Sequence, residues 1–285
     1  MTAEPVGRAG AMAPTGRQQV VGVLGAGKLG EILIAGLLRG GWPVGSLQAG
    51  VRRPERGAEL AERYGIATGP AEQIAADADV LVLAVKPQDA AALLTQVAGS
   101  LAENRLVVSA VAGLGSRFVA DRLPTGTRVV RVMTNTPARI AQAMSAISAG
   151  AGATAEDLDT VERLLSPLGR TVRVPESQQD AVTALSGSGP AYFFYLVEAM
   201  TDAGILLGLP RQVAHDLIVQ TAVGSALLLR DSGEHPVILR EAVTSPAGTT
   251  ISAIRELEDH RVRAAMLAAL SAARDRAREI AADLG

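Results

Sequence analysis

Residues 19–24 (QVVGVL) open the patterned part of the chain with a short, β-branched apolar run that stops at a glycine. Such a run predicts a strand buried on both faces. Residues 28–39 (KLGEILIAGLLR) then place apolar side chains at helical spacing and stop at Gly40-Gly41. The alternation continues. Residues 46–51, 79–85 (DVLVLAV), 105–110 (RLVVSA), 128–133 (RVVRVM) and 171–174 predict further strands. Between them 54–64, 89–98, 116–123 and 154–165 predict helices, the first opened by Pro54 and the last capped by Thr154. Strand–helix alternation with right-handed crossovers implies a doubly wound, mainly parallel α/β sheet covered on both faces, over residues 18–176.

After Pro175 the pattern changes to long alanine- and leucine-rich helices, predicted at 177–184, 191–207, 211–229, 249–258 and 262–283. In the last, Val262, Met266, Leu270, Ala273, Ala277, Ile280 and Leu284 form one apolar stripe opposed by Arg and Glu. Residues 177–285 are therefore expected to form an all-helical domain with few large apolar residues, one that would complete its core against a second copy. Residues 1–17, rich in Gly, Ala and Pro, carry neither period and no secretory apolar region, and are expected to be a disordered tail.

Composition removes several classes of function. The 285 residues are 48% hydrophobic, yet no uninterrupted apolar run of 18 or so residues suggests a membrane span. A net charge of −2 and 2% aromatic residues give no electrostatic or stacking case for nucleic acid or an anionic membrane. The expectation is a soluble, cytoplasmic protein. Absence of cysteine excludes disulfides, thiol nucleophiles and thiolate metal sites, and His215, His235 and His260 lack metal-ligand spacing, so no metal is expected.

The strongest local chemistry is Gly25-Ala26-Gly27-Lys28-Leu29-Gly30, a GxGxxG directly after the first strand and opening the first helix. Gly25 permits the tight turn, Gly27 lets backbone approach a pyrophosphate, and Gly30 lets helix pack on sheet. The amides at the helix start face the phosphates along the favourable dipole. Which dinucleotide follows from the end of the second strand, where NAD sites place Asp or Glu. Here Val51-Arg52-Arg53-Pro54 offers two guanidinium forks, which suit a 2′-phosphate, so NADPH is preferred and NADH remains possible. Solvated strand-end arginines are the plain alternative. Ala84-Val85-Lys86-Pro87 ends another strand on the same carboxyl edge, where Lys86 approaches cofactor or a substrate carboxylate, or is simply a loop lysine.

GAGKLG, LAVKPQ (83–88), RVMTNTPA (131–138), LSGSGPAY (185–192) and VTSPAGTTISAIRELE (243–258) stand in an order and spacing that resembles pyrroline-5-carboxylate reductase. The resemblance spans residue 20 to about 270, and the last motif is its most specific part. It implies a Rossmann domain followed by a helical domain that dimerises with a partner copy, and reduction of 1-pyrroline-5-carboxylate to L-proline with NADPH or NADH. It also implies that Ser245, Gly248 and Thr249 contact the substrate carboxylate. By the same resemblance Thr250 stands near the ring nitrogen as hydrogen-bond or proton donor, and Asn135 and Pro137 lie near the nicotinamide. Two positions depart from the family's common residues: Thr134 where proline is usual, and Ala247 where glycine is usual. The second removes easy access to positive φ.

Hydride delivery to a protonated cyclic imine neutralises a charge the substrate already carries, so positioning can substitute for a strong acid. Four readings compete. A 3-hydroxyacid dehydrogenase would need a lysine in the helical domain, whereas the lysines are Lys28 and Lys86. A deazaflavin-dependent NADP reductase would fit the first domain but leaves VTSPAGTT unexplained. A cofactor-binding sensor or scaffold, or a reductase of another cyclic imine acid, stays open.

Overall fold

A computed structural model describes residues 19–284; the expected tail at 1–17 lies outside them. In chain order the elements of the sheet region are β1 (Val21–Leu24), α1 (Lys28–Arg39), β2 (Leu47–Gly50), α2 (Pro54–Tyr64), β3 (Ala67–Gly69) and α3 (Ala71–Asp77). They continue with β4 (Val80–Leu83), α4 (Pro87–Val97), β5 (Leu106–Ser109), α5 (Ser116–Ala120), β6 (Arg128–Met133), β7 (Ala143–Ala149), α6 (Ala155–Leu165), β8 (Gly169–Arg173) and α7 (Gln179–Val182). The helical region holds α8 (Gly189–Leu206), α9 (Arg211–Ser232), α10 (Pro236–Ala242), α11 (Thr249–Asp259) and α12 (Val262–Leu284).

The eight strands form one sheet in the order β3-β2-β1-β4-β5-β6-β7-β8. All neighbours are parallel except β6 and β7, which run antiparallel with Val132 opposite Ile147. The chain winds outward from β1 to one edge through β2 and β3, then returns to the other side of β1 with β4. That reversal is the topological switch of the fold, at the carboxyl ends of β1 and β4. The sheet is buried on both sides. Val23, Val82, Val108 and Val130 pack with α1 and α6 on one face, and Leu24, Leu81, Val107 and Val129 pack with α3 and α4 on the other.

Four elements lie outside the sequence pattern. β7 (AMSAISA) carries alanine and serine where β-branched residues signal a strand, and its place between β6 and β8 supplies what its propensity lacks. β3 and α3 are short, and β3 owes its existence to pairing with β2 at the sheet edge. α10 begins at Pro236 after His235, whose Nδ1 accepts a hydrogen bond from the Val237 amide at 3.3 Å. The Thr154 cap is present as a reciprocal capping box with Asp157.

The chain divides into two compact units, one reaching Gly187 and resumed at Ala277, the other Ser188–Arg276. Buried Gln179 holds the segment after β8 to the sheet: its amide reaches Ser148 Oγ at 2.8 Å. The predicted helix at 177–184 is accordingly broken into a 3₁₀ turn, α7 and a π-helical turn, Thr183–Gly187. At the end of α12, Ile280 and Ala281 lie beside Gly113 in the loop after β5, where φ is +78° and a Cβ would stand 3.2 Å from Ile280 Cγ2. In the helical unit α8 and α9 approach closely at Gly204 and Ala214, yet only Gly189, Thr201 and Ala214 are buried. Among the described residues α9 is the one helix long and apolar enough to cross a membrane by length and composition, with 6% of that stretch buried.

Candidate cofactor cleft and substrate loop

Three helices start at the carboxyl ends of three adjacent strands: α1 after β1, α2 after β2 and α4 after β4. Their preceding residues, Gly27, Arg53 and Lys86, make no side-chain cap. Helix starts leave amides without intrahelical partners, and here those amides border one cleft. The cleft is lined by Gly25, Gly27, Lys28, Arg52, Arg53 and Lys86 among others.

The glycines of the turn have separate reasons. Gly25 takes φ of +96°, and a Cβ there would lie 2.6 Å from Val85 Cγ1. A Cβ on Gly30 would strike the Gly25 carbonyl oxygen. Gly27 differs: nothing stands within 4 Å of where its Cβ would be. Two of the three are demanded by the fold, while the third leaves open space over an uncapped helix start, which is the room a pyrophosphate needs. Ala26 is buried beneath the turn, Leu29 is half-buried against the core, Ala84 and Val85 line the facing wall after β4, and Pro87 opens α4 without lining the cleft.

Charge in the cleft is unevenly committed. Arg52, its side chain 87% exposed, lies 3.5 Å from Asp89 on α4. Arg56 is held by Glu31 and Glu59. Lys28, Arg53 and Lys86 carry no ion pair among the described residues. The open cleft thus presents three uncommitted cations beside uncapped amides, a donor set that fits a dinucleotide's phosphates.

Asn135, expected near a nicotinamide, is anchored in the turn after β6. Its amide donates to the Ser186 carbonyl at 3.3 Å, and its Oδ1 accepts from the Met144 amide at 3.1 Å. It therefore ties the turn after β6 to β7 and to the π-helical turn. Thr134 is accommodated because its hydroxyl accepts from Ser145 Oγ at 2.8 Å.

The segment expected to hold substrate lies in the helical unit. Ser245, Pro246 and Ala247 are exposed, and Ala247 takes φ of +56°. An alanine in the left-handed region costs about 1–2 kcal/mol, strain of the kind that collects at ligand loops. Gly248 opens α11 without a side-chain cap, and its amide donates to the Ser245 carbonyl at 3.2 Å. A Cβ on Gly248 would collide with Ser245 Oγ. Thr249 is exposed and Thr250 half-buried in the first turn. The start of α11 is thus a set of unclaimed amides flanked by hydroxyls, suited to a carboxylate.

Sequence reasoning missed Arg56, Glu31 and the edge of the cleft at Thr68 and Gly69. The last two follow from β3, which has no strand pattern. The ion pair had a signal in Glu31 in the first turn of α1 and Arg56 in the first turn of α2, but no local spacing links positions 25 residues apart.

Residues 176–280 match the family model for pyrroline-5-carboxylate reductase dimerisation, and residues 20–113 match that for the coenzyme F420-dependent NADP oxidoreductases. A pyrroline-5-carboxylate reductase of Corynebacterium melassecola is 42% identical over 264 residues, covering 91% of this chain and 98% of that protein. Among solved structures, one of a pyrroline-5-carboxylate reductase from Coxiella burnetii superposes with a TM-score of 0.87 at 31% identity, over 93% of this chain and 99% of the other. A Plasmodium falciparum pyrroline carboxylate reductase, solved with NADP bound, shares the fold at a TM-score of 0.84 and 24% identity, over 93% and 100%. With relatives this similar over nearly its whole length, the chain belongs to the pyrroline-5-carboxylate reductase family.

Proposed function

We propose that this chain reduces 1-pyrroline-5-carboxylate to L-proline, the last step of proline biosynthesis, with NADPH preferred over NADH. The observation that carries the reading is the uncapped start of α11 at Ser245–Thr250, in a chain of this family that also opens an uncapped glycine turn at the switch of its sheet. A bound nicotinamide supplies the hydride. The chain's own residues do the rest. Gly25, Gly27 and Gly30 shape the pyrophosphate turn, with Lys28 and Lys86 as nearby cations. Arg52 and Arg53 receive the 2′-phosphate. Asn135 orients the turn beside the nicotinamide through its bonds to Ser186 and Met144. Ser245, Gly248 and Thr249 hold the substrate carboxylate, and the Thr250 hydroxyl stands at the ring nitrogen, donating to the lone pair that forms there as the hydride arrives. The imine carbon gains a hydride, the protonated nitrogen becomes a neutral amine, and no strong acid is consumed.

The domains of this reading are a dinucleotide-binding domain over 18–176 and a helical substrate-binding and dimerisation domain over 177–285. Self-association is expected through the apolar surface of α9, where Leu217 and Leu228 are 56% and 58% exposed. A homodimer in the cytoplasm, engaging neither nucleic acid nor membrane, accords with the net charge of −2.

Absorbance at 340 nm, followed with pyrroline-5-carboxylate and either NADPH or NADH, tests the reaction. Imine-dependent oxidation, faster with NADPH, is expected. Oxidation only with a six-membered cyclic imine acid would move the substrate; cofactor binding without any oxidation would favour a sensor. Thr250→Val is expected to lower kcat by about 10-fold or more, and turnover kept within about twofold would remove the hydroxyl from the chemistry.

A further inference from the structure

The first turn of α2 presents Arg56 to the glycine turn. Its Nε donates to the Ala26 carbonyl at 3.1 Å, Nη2 reaches Glu31 at 2.5 Å and Nη1 reaches Glu59 at 2.9 Å. Glu31, in the first turn of α1, also accepts from Arg63 at 2.6 Å and from the Tyr64 hydroxyl at 2.9 Å. The Arg56 and Glu31 side chains are only 21% and 22% exposed. The hydrogen bond from Arg56, followed by those from Tyr64 and Arg63, outweighs burial and holds the Glu31 carboxyl below its ordinary range. A charged, mutually committed network thus joins the starts of two helices that border the cleft.

One of its bonds matters more than its neighbours. In a trans peptide the carbonyl and the following N–H point in opposite directions. With the Ala26 carbonyl turned to Arg56, the Gly27 N–H is turned away from α2. That amide is among the first of α1, without an intrahelical partner, and Gly27 has open space where a side chain would be. Without the guanidinium the same peptide could rotate, and each binding event would have to reorder it.

We propose that Arg56 is a positioning residue for the cofactor: by holding the Ala26 carbonyl it fixes the peptide whose Gly27 N–H meets the pyrophosphate. This rests on the reading of the chain as a dinucleotide-dependent reductase. The pyrophosphate is common to NADPH and NADH, so Arg56 acts on both alike, whereas Arg52 and Arg53 act through the 2′-phosphate. Lysine cannot replace it, because one ammonium cannot serve a carbonyl and two carboxylates in the directions the planar fork does.

Calorimetric titration of NADPH and NADH into the full-length protein and its Arg56→Met, Glu31→Gln and Arg53→Gln variants tests this, with kcat and KM measured alongside. Arg56→Met keeps the apolar stem and should weaken both cofactors by about 10-fold, with KM for cofactor rising in step and kcat at saturation within about twofold. Glu31→Gln should weaken both in the same sense by about 3-fold, and it carries the test if Arg56→Met does not fold. Arg53→Gln should weaken NADPH much more than NADH. Affinities within about twofold of wild type for Arg56→Met, or for Glu31→Gln where that variant stands in, would overturn the proposal. So would a loss confined to NADPH, which would mean that Arg56 touches the 2′-phosphate itself. Should the wild type bind neither cofactor, the dinucleotide reading fails first and takes this role with it.

Discussion

β4 buries all four of its residues, while α9, more than five times as long, buries only Ala214. Both are apolar stretches. β4 lies between β1 and β5 with helices on either face, so every side chain finds a neighbour within the chain. α9 finds α8 at Gly204 and Ala214 and otherwise presents Val213, Leu217, Val223 and Leu228 to its surroundings. Single exposed apolar residues are ordinary on a protein surface, but a helix that is exposed and apolar along its length is not. The sheet unit covers its own apolar residues; the helical unit leaves most of α9 uncovered within the chain. A match to a dimerisation family over 176–280 agrees with that division.

The largest effect should therefore come from charging the open face. Leu217 and Leu228 are eleven residues apart, three helical turns, and lie on one side of α9. In a two-fold dimer the Leu217→Glu/Leu228→Glu variant changes four side chains. At about 1.5 kcal/mol each, that weakens association by about 10⁴-fold, with charge repulsion in addition. Sedimentation or light scattering should find a monomer at micromolar concentration, with its sheet unit still folded. A variant that kept the wild-type mass would break the comparison, since α9 would then be exposed for some other reason. A wild type already monomeric would end the homodimer reading.

Next come the glycines of the cofactor turn, where Gly27 and Gly30 set an open and a closed environment three residues apart. Gly30→Val drives a side chain into the Gly25 carbonyl and should cost about 3 kcal/mol or more, visible as a lower Tm. A Cβ on Gly27 meets nothing within 4 Å, so Gly27→Val should lower Tm far less, while weakening NADPH by about 100-fold because the branched side chain occupies the approach of the pyrophosphate. Equal losses of stability in both variants would show that Gly27 too is demanded by the fold.

Period and β-branching disclosed most of the sheet because β1, β4, β5 and β6 are buried by both layers, and burial on two faces leaves an unbroken apolar run. β7 escaped because its alanines and serines are chosen by close packing in an antiparallel site, not by strand propensity. The site divides in the same way. GAGKLG and the two arginines are local in sequence and were readable, as was the helix start at Gly248. Arg56 with Glu31, and Asn135 with Ser186, exist only as contacts between distant segments. Arg52 was offered by the sequence as a phosphate ligand, but its neighbour Asp89, 37 residues on and 3.5 Å away, was not readable from local spacing.

The smallest expected effect probes what holds the closed unit together without help from a partner. Glu176, just after β8, accepts the Ser116 amide at 2.7 Å and the Ser116 hydroxyl at 2.6 Å, and pairs with Arg131 at 3.2 Å. Burial pushes its carboxyl up, but the Ser116 hydrogen bonds and the Arg131 guanidinium outweigh it and leave it below its ordinary value. A carboxyl lowered in the folded state contributes stability that is complete above the unfolded value, about 4.3, and is lost as pH falls through the lower folded one. Glu176→Gln should therefore cost on the order of 1 kcal/mol at neutral pH, and the gap from wild type should close as the solution is acidified below about pH 4. Urea unfolding at several pH values measures it. Because every partner of Glu176 lies in the sheet unit, the gap should not change with protein concentration, whereas the loss in the α9 variant should. A concentration-dependent gap at Glu176 would mean that the sheet unit, like the helical one, depends on assembly for its stability.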